Sequence, residues 1–258
     1  MAGVPQSFLI AVAFALGAVV GSFLNVLIHR VPRRESIVKP GSRCPRCGTP
    51  IRWYDNVPIL SWILLRARCR DCGEPIPVRY PLVELAGGLV GVLTVLRWGV
   101  GVAGLEAALF GWITVALALI DLEHQLLPDV MTLPSLAAGL AFSFAGGLAT
   151  PVESILGAVV GAAIPALIIV VYKKLRGIEG MGWGDVKYLG AIGAVVGVQG
   201  MLMVLILGAV AGALVGLGLV AAGRGNARTA LPFGTFLGMG VLVWLYAPSW
   251  LWSWFMLP

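Results

Sequence analysis

Apolar residues run in long unbroken stretches along this chain, with short polar connections between them. The stretches do not alternate apolar and polar positions, so they do not predict the strands of a membrane barrel. A run of about 20 apolar residues is long enough to cross a bilayer as a helix. The pattern predicts an all-α polytopic membrane protein with about eight transmembrane helices, at 8–28, 82–98, 105–121, 129–147, 154–172, 186–198, 200–222 and 233–255.

Composition agrees with this fold class. Of the 258 residues, 59% are hydrophobic and 12% are charged, which is about half the charged fraction of a soluble domain. These values exclude a water-soluble globule and a disordered chain. The first apolar stretch has no Lys or Arg before it and is too long for the apolar region of a signal peptide, so we interpret it as a membrane helix.

The basic residues are distributed unevenly over the connections. Seventeen of the eighteen Lys and Arg residues fall on one side of the predicted helices, eleven of them in residues 29–80, and Arg97 alone falls on the other. The positive-inside rule makes that side cytoplasmic and places both termini outside. The net charge of +6 therefore reflects orientation, and we expect no nucleic-acid partner. The predicted division is a first helix (1–28), a cytoplasmic insert (29–80) and a membrane core (81–258).

All four cysteines lie in the insert, in two Cys-x-x-Cys-Gly strings formed by Cys44 with Cys47 and by Cys69 with Cys72. Two pairs of thiolates on tight turns suit tetrahedral Zn²⁺. An insert of about 50 residues with few large apolar side chains cannot build a core alone, and a metal would supply folding energy. The alternative is two disulfides, which are rare in a reducing compartment. We predict a structural zinc site.

Two aspartates are the candidate chemical groups. Asp121 ends the third predicted helix, and Asp185 opens the sixth at the end of a Gly-x-Gly-Asp string. Both fall at the cytoplasmic boundary, where a carboxylate is costly and therefore a functional candidate. Two carboxylates that share a proton can serve as acid and base in peptide hydrolysis, and the glycines would let a peptide approach. The alternative is that each aspartate caps a helix or pairs with a cation, such as Lys187 or Lys174.

A set of short motifs extends over nearly the whole chain: Gly21-Ser22-Phe23-Leu24-Asn25-Val26, His29-Arg30-Val31-Pro32, the two cysteine strings, Arg79-Tyr80-Pro81-Leu82-Val83-Glu84-Leu85, Asp121 with Leu127-Pro128-Asp129, Glu179 to Lys187, and Pro232-Phe233-Gly234. In this order and spacing they resemble the prepilin leader peptidases that also N-methylate, membrane aspartic peptidases of the Gly-x-Gly-Asp type. Thr235 departs from the pattern, since many members have proline there.

The resemblance implies a multi-pass enzyme of the bacterial inner membrane. Such enzymes cut the leader from type IV prepilins and type II secretion pseudopilins at the cytoplasmic face. They then methylate the new N-terminal amine, typically of Phe, with S-adenosylmethionine. Carried onto this chain, Asp121 and Asp185 are the catalytic pair, and the insert is the zinc-binding domain of the bifunctional members.

The residues alone do not locate the methyl donor, because no Rossmann-type glycine motif is present. Glu84 is a weak candidate, because a membrane carboxylate can bind an amine or a cofactor. The alternative is that Glu84 pairs with Arg79. Asn25 is another weak candidate, although a residue of this type in a membrane helix more often makes a helix–helix hydrogen bond. The space between the insert and the first two helices is our expectation for this site.

Two other functions remain open from the sequence. One is an intramembrane aspartic protease of the signal-peptide-peptidase type, which cuts within the bilayer and carries no methyltransferase activity. The other is an ion-coupled transporter, which is disfavoured because the chain has one glycine-interrupted span and no clear inverted repeat.

Overall fold

The computed structural model describes residues 5–177, 181–224 and 230–247, and regular structure in these ranges is helical apart from two isolated β-bridges. The chain divides into two compact units, Met1–Leu96 and Arg97–Pro258. The end of the eighth predicted span, after residue 247, lies outside the described residues, as do Glu179 and Gly180 of the glycine-rich motif.

The N-terminal unit holds two long helices and the insert between them. Helix α1 spans Gln6–Arg30 and α3 spans Arg79–Trp98, whose last two residues fall in the second unit. The insert contains a 3₁₀ turn at Trp53–Asn56 and the short helix α2 at Leu60–Leu64. Most of the insert is irregular. It holds more large apolar side chains than we expected, but many of them, including Trp53, Leu60 and Leu64, are exposed and do not form a core.

Glycines bring α1 and α3 into close contact. A Cβ on Gly21 would lie 2.7 Å from Glu84 Cα, and one on Gly17 would overlap Gly87 O. Helices in membranes commonly pack through such small residues. Asn25 adds a polar tie between the same helices, because its Nδ2 donates to Tyr80 O at 3.1 Å.

The second unit contains five helices: α4 at Val102–His124, α5 at Asp129–Phe144, α6 at Pro151–Arg176, α7 at Trp183–Ala221 and α8 at Phe233–Tyr246. Five helices of the described chain are long and apolar enough to cross a membrane, namely α1, α3, α4, α6 and α7. Helices α5 and α8 are apolar but shorter. The polytopic helical class is confirmed, whereas the count of eight spans stays a prediction.

Local signals set the helix ends. Thr150 and Glu153 form a reciprocal capping box at the start of α6, where Pro151 takes the first helical position. Helix α6 ends at Gly177 with φ 73°, and α4 ends at Gln125 with φ 50°. Both ends use the left-handed conformation that satisfies the last helical carbonyls.

Helix α7 combines the sixth and seventh predicted spans. Gly197 interrupts it with φ 70° and ψ −177°, values that no helical residue adopts. Before this point α7 runs antiparallel to α4, since Tyr188 donates to Thr114 Oγ1 at 3.2 Å while Asp185 lies near Asp121. The first half of α7 therefore starts where α4 ends.

After Gly197 the chain turns back. Close pairs show that α8 is antiparallel both to α4 and to the second half of α7: Thr235 with Ala118, Tyr246 with Ala107, Gly208 with Leu237, and Gly240 with Val204. Helix α8 and the first half of α7 both run antiparallel to α4, so they run parallel to each other. Because the second half of α7 is antiparallel to α8, the two halves of α7 run in opposite directions. A single helical element thus contains two helices of opposite direction.

The crossing of α6 and α7 gives a test of this packing. A Cβ on Gly157 would overlap the carbonyl of Gly193, so we expect Gly157→Ala to destabilise the protein by about 1–3 kcal/mol through overpacking. Gly218→Ala is the matched control, because nothing lies within 4 Å of a Cβ there. Thermal unfolding of the purified variants in detergent measures the difference. Equal midpoints for the two variants would contradict the described crossing.

Candidate functional site

Asp121 lies in the last turn of α4 and is 5% exposed. Its Oδ2 accepts the backbone N–H of Thr235 at 2.7 Å and lies 3.2 Å from Thr235 Oγ1. The same hydroxyl donates to Ala118 O at 2.9 Å. A buried carboxylate needs such donors, and α8 supplies them.

Asp185 lies in the first turn of α7 and is 9% exposed. Its Oδ2 accepts the backbone N–H of Gly182 at 3.2 Å, which is a capping bond. Its charge interacts with that of Asp121. The structure brings the two aspartates together at one end of the second unit, and Asp185 also has the capping contact considered as its alternative role.

Leu127 packs between the segments that carry the two acids. A Cβ on Gly184 would lie 3.0 Å from Leu127 Cβ, and one on Gly234 would lie 2.9 Å from Leu127 Cδ1 and 3.0 Å from Asp121 Oδ2. A side chain at either position would require Leu127 or Asp121 to shift. The glycine before Asp185 thus accommodates a leucine of the same chain, where the sequence suggested room for a peptide.

Lys187 pairs with Asp129 and not with Asp185. Its Nζ lies 2.6 and 2.7 Å from the two carboxylate oxygens of Asp129. Asp129 is the first residue of α5, so the ion pair joins the starts of α5 and α7 beside the aspartates. Lys187, which the sequence suggested as a partner of Asp185, therefore connects the helices next to Asp185.

The four cysteines form a cluster in the insert. Their Sγ atoms all lie within 4.8 Å of one another, and Cys44 Sγ is 3.8 Å from Cys72 Sγ. All four are free thiols, so the disulfide alternative is wrong. A tetrahedron with metal–sulfur distances of about 2.3 Å has edges of about 3.8 Å. The cluster is thus able to hold a metal ion.

The two cysteine turns have the same backbone geometry. Cys44 N donates to Thr49 O at 3.0 Å and Cys69 N donates to Glu74 O at 2.8 Å. In both turns the glycine after the second cysteine has φ 72°, a conformation that favours glycine. Hydrogen bonds from Thr49 lower the pKa of the Cys47 thiol to about 6, which favours the thiolate that a metal requires.

Ion pairs tie the turns to the rest of the insert. Arg70 binds both carboxylate oxygens of Asp55, at 2.8 and 2.6 Å, and holds the pKa of Asp55 below its ordinary value. Arg46 pairs with Glu74 across the two turns. The two arginines are exposed, whereas the carboxylates of Asp55 and Glu74 are partly covered. The pairs therefore orient the segments, and the exposed cations limit what they add to stability.

Glu84 and Asn25 lie in the N-terminal unit, away from the aspartates in sequence. Glu84 is 9% exposed, and its Oε2 accepts the backbone N–H of Ile59 at 2.7 Å. Both residues line an open cavity of about 940 Å³ that is bordered by α1, the insert and the start of α3. This is the region where the methyl donor was expected.

Thr235 is the contact that the sequence did not assign. The only signal was its departure from the proline found in many family members. The N–H that Asp121 accepts is one that proline lacks, so the departure changes the hydrogen bonding of a candidate catalytic acid.

Two family descriptions match consecutive parts of the chain. Residues 15–98 match the bacterial peptidase A24 N-terminal domain, and residues 108–217 match the type IV leader peptidase family. The first match covers α1, the insert and α3, and the second covers both aspartates. No solved structure shows a significant match.

Several curated proteins named prepilin leader peptidase/N-methyltransferase are similar to the chain. The protein of Aeromonas hydrophila is 38% identical over 91% of this chain and 90% of its own length. That of Burkholderia pseudomallei (strain 1026b) is 40% identical over 93% of this chain and 85% of its own length. That of Myxococcus xanthus is 45% identical over 84% of this chain and 65% of its own length. With identity of this level over most of its length, the chain belongs to the type IV leader peptidase family.

Proposed function

We propose that the protein cleaves the leader peptide of type IV prepilins and type II secretion pseudopilins, and then N-methylates the new N-terminal residue, typically Phe, with S-adenosylmethionine. Family membership supports the two reactions. The observation that supports the hydrolytic chemistry is that Asp121 and Asp185, both buried, lie close enough at one end of the second unit for their charges to interact.

The mechanism follows from two neighbouring carboxylates that share one proton. The ionised aspartate takes a proton from water as the water oxygen bonds to the scissile carbonyl carbon. The protonated aspartate donates its proton to the carbonyl oxygen. When the intermediate collapses, the C–N bond breaks, its electron pair stays on nitrogen, and the amine takes a proton from one aspartate. A hydroxyl group of the intermediate gives a proton to the other aspartate as the C=O bond reforms, which restores the shared proton. Cleavage therefore declines on both sides of an optimum pH, as the pair gains or loses its shared proton.

The charge distribution supports cleavage at the cytoplasmic face of the inner membrane. The positive-inside rule places the connections after the third and fifth predicted spans in the cytoplasm, and Asp121 and Asp185 adjoin them. A prepilin leader is basic and stays inside by the same rule. Its scissile bond, just before the apolar segment, then lies at the membrane surface.

The cysteine cluster is proposed to bind structural zinc. Four thiolates are a ligand set that Zn²⁺ prefers, and they leave no open position for catalysis. The ion would hold the two turns together in an insert that is mostly irregular. We assign Cys44, Cys47, Cys69 and Cys72 as its ligands.

The second proposed reaction is transfer of a methyl group to the new N-terminal amine. When bound, S-adenosylmethionine supplies a methyl group: the amine nitrogen bonds to the methyl carbon, the electron pair of the C–S bond stays on sulfur, and the amine releases a proton.

Substitution of either aspartate tests the dyad. We expect Asp121→Asn and Asp185→Asn each to lower leader removal by about a hundred- to ten-thousand-fold, since an amide cannot exchange the proton. Gel assays with purified prepilin measure the rate. Glu106→Gln is the matched control, because Glu106 is the other buried acid of α4, and this variant should cleave normally.

Normal cleavage by either asparagine variant would refute the dyad. The cleavage position separates the alternatives, since mass spectrometry should place it at the leader boundary. A cut within the apolar segment would instead favour the signal-peptide-peptidase type of activity. Substrate-independent ion uptake by vesicles would favour the transporter.

Removal of two metal ligands tests the zinc site. We expect wild-type protein to contain about one zinc per chain, and Cys69→Ser with Cys72→Ser to lose it, because two thiolates do not retain the ion. Without the metal the basic insert should become more sensitive to trypsin, and methylation should fall at least as much as cleavage. Elemental analysis and limited proteolysis measure the first two effects.

Ser42→Ala, an exposed change in the same insert, serves as the control. Wild-type protein that purifies without zinc, or a double variant that retains it, would contradict the assignment.

A further inference from the structure

The N-terminal unit contains a cavity that the hydrolytic chemistry does not use. It measures about 940 Å³, and its wall includes Asn25 of α1, Trp62 of the insert, and Tyr80 and Glu84 of α3. Sites for small molecules typically measure about 300–1,000 Å³ and combine apolar walls with a few polar groups. The cavity has the size of such a site, and its lining also carries charged side chains of both signs, among them Arg30, Arg52, Asp55 and Glu74.

Asn25 supplies an acceptor without a partner. The residue is 3% exposed, and its Oδ1 makes no hydrogen bond. Its Nδ2 faces two carbonyl oxygens, of Tyr80 at 3.1 Å and of Gly21 at 3.4 Å. Exchange of the amide N and O would set oxygen against oxygen, so the orientation is fixed. A buried acceptor in a cavity wall that has no protein partner is available to a donor on a ligand or on a water molecule.

Glu84 supplies a carboxyl group held in place. Its Oε2 accepts the N–H of Ile59 at 2.7 Å, and Ile59 has φ 62° although its side chain is β-branched. Backbone strain of this kind persists where the surroundings enforce it, and it is frequent at ligand sites. The bond therefore attaches the start of α2 to α3 and fixes the carboxylate at the cavity wall.

We propose that this cavity binds the methyl donor, with Glu84 balancing the positive charge of S-adenosylmethionine and Asn25 Oδ1 accepting a hydrogen bond from it. The inference rests on the proposed methyltransferase function and adds the location of its cofactor. The donor carries an ammonium and a sulfonium group, and an ion of either kind in a partly apolar site needs a counter-charge. Trp62 and Tyr80 are the aromatic residues available to its adenine base.

The test is a binding measurement on the purified full-length protein. Equilibrium dialysis gives dissociation constants for S-adenosylmethionine and for the neutral analogue 5′-methylthioadenosine. We expect Glu84→Gln to weaken binding of S-adenosylmethionine by at least about tenfold and that of the neutral analogue by less than about twofold. Glutamine keeps an oxygen for the N–H of Ile59 and loses only the charge.

Glu106→Gln is the matched control, since Glu106 is also buried and also accepts a backbone N–H at 2.7 Å, from Leu148. It should bind both compounds as the wild type does. A wild-type protein that binds S-adenosylmethionine and a Glu84→Gln variant that binds it equally well would overturn this site alone. A wild-type protein that binds neither compound would contradict the methyltransferase function as well.

If the Glu84→Gln variant binds neither compound, photo-crosslinking of labelled S-adenosylmethionine to the wild-type protein tests the location of the site. The label should map to peptides within residues 22–84. A label confined to residues 97–247 would overturn the proposal.

Discussion

A carboxylate buried among apolar helices must receive hydrogen bonds from the protein, because it has lost those of water. Asp121 meets this requirement through Thr235, which lies at the start of α8. The proposed dyad therefore depends on the packing of α8 against α4. That packing depends in turn on the reversal of α7 at Gly197, since the second half of α7 lies along α8. The chemistry of two acids thus rests on helix directions set far from them in sequence.

The parts of this arrangement that local sequence determines were predictable. Long apolar runs located the helices, and Asp121 and Asp185 fell at the ends of theirs. The pairings between distant elements were not predictable, because several partners were equally compatible with the chain order. Lys187 lies two residues from Asp185, yet it binds Asp129 on α5. Thr235 carried no sign of a bond to Asp121 beyond its departure from proline.

The insert shows the same division. The spacing of the cysteines predicted their clustering, because each tight turn brings the two cysteines of one pair together and a shared metal would join the pairs. In the structure Cys44 Sγ of the first turn lies 3.8 Å from Cys72 Sγ of the second. The cavity beside the insert has no such local origin. Its walls come from α1, from the insert and from α3, and each contributes residues that alone suggest ordinary helix packing. An empty volume is a property of how segments fit together, and no single segment encodes it.

Two buried glutamates show which observation distinguishes a candidate binding residue from a structural one. Glu84 and Glu106 both accept a backbone N–H at 2.7 Å, so burial and hydrogen bonding do not separate them. Glu106 borders a cavity of about 30 Å³, which has room for little more than a water molecule. A Cβ on Gly147 would overlap its carboxylate, so the chain itself fills the space around this acid. Glu84 instead lies at a cavity of about 940 Å³, beside the unpaired oxygen of Asn25. The volume next to the carboxylate, and the acceptor without a partner, are what make Glu84 the candidate for binding a cation.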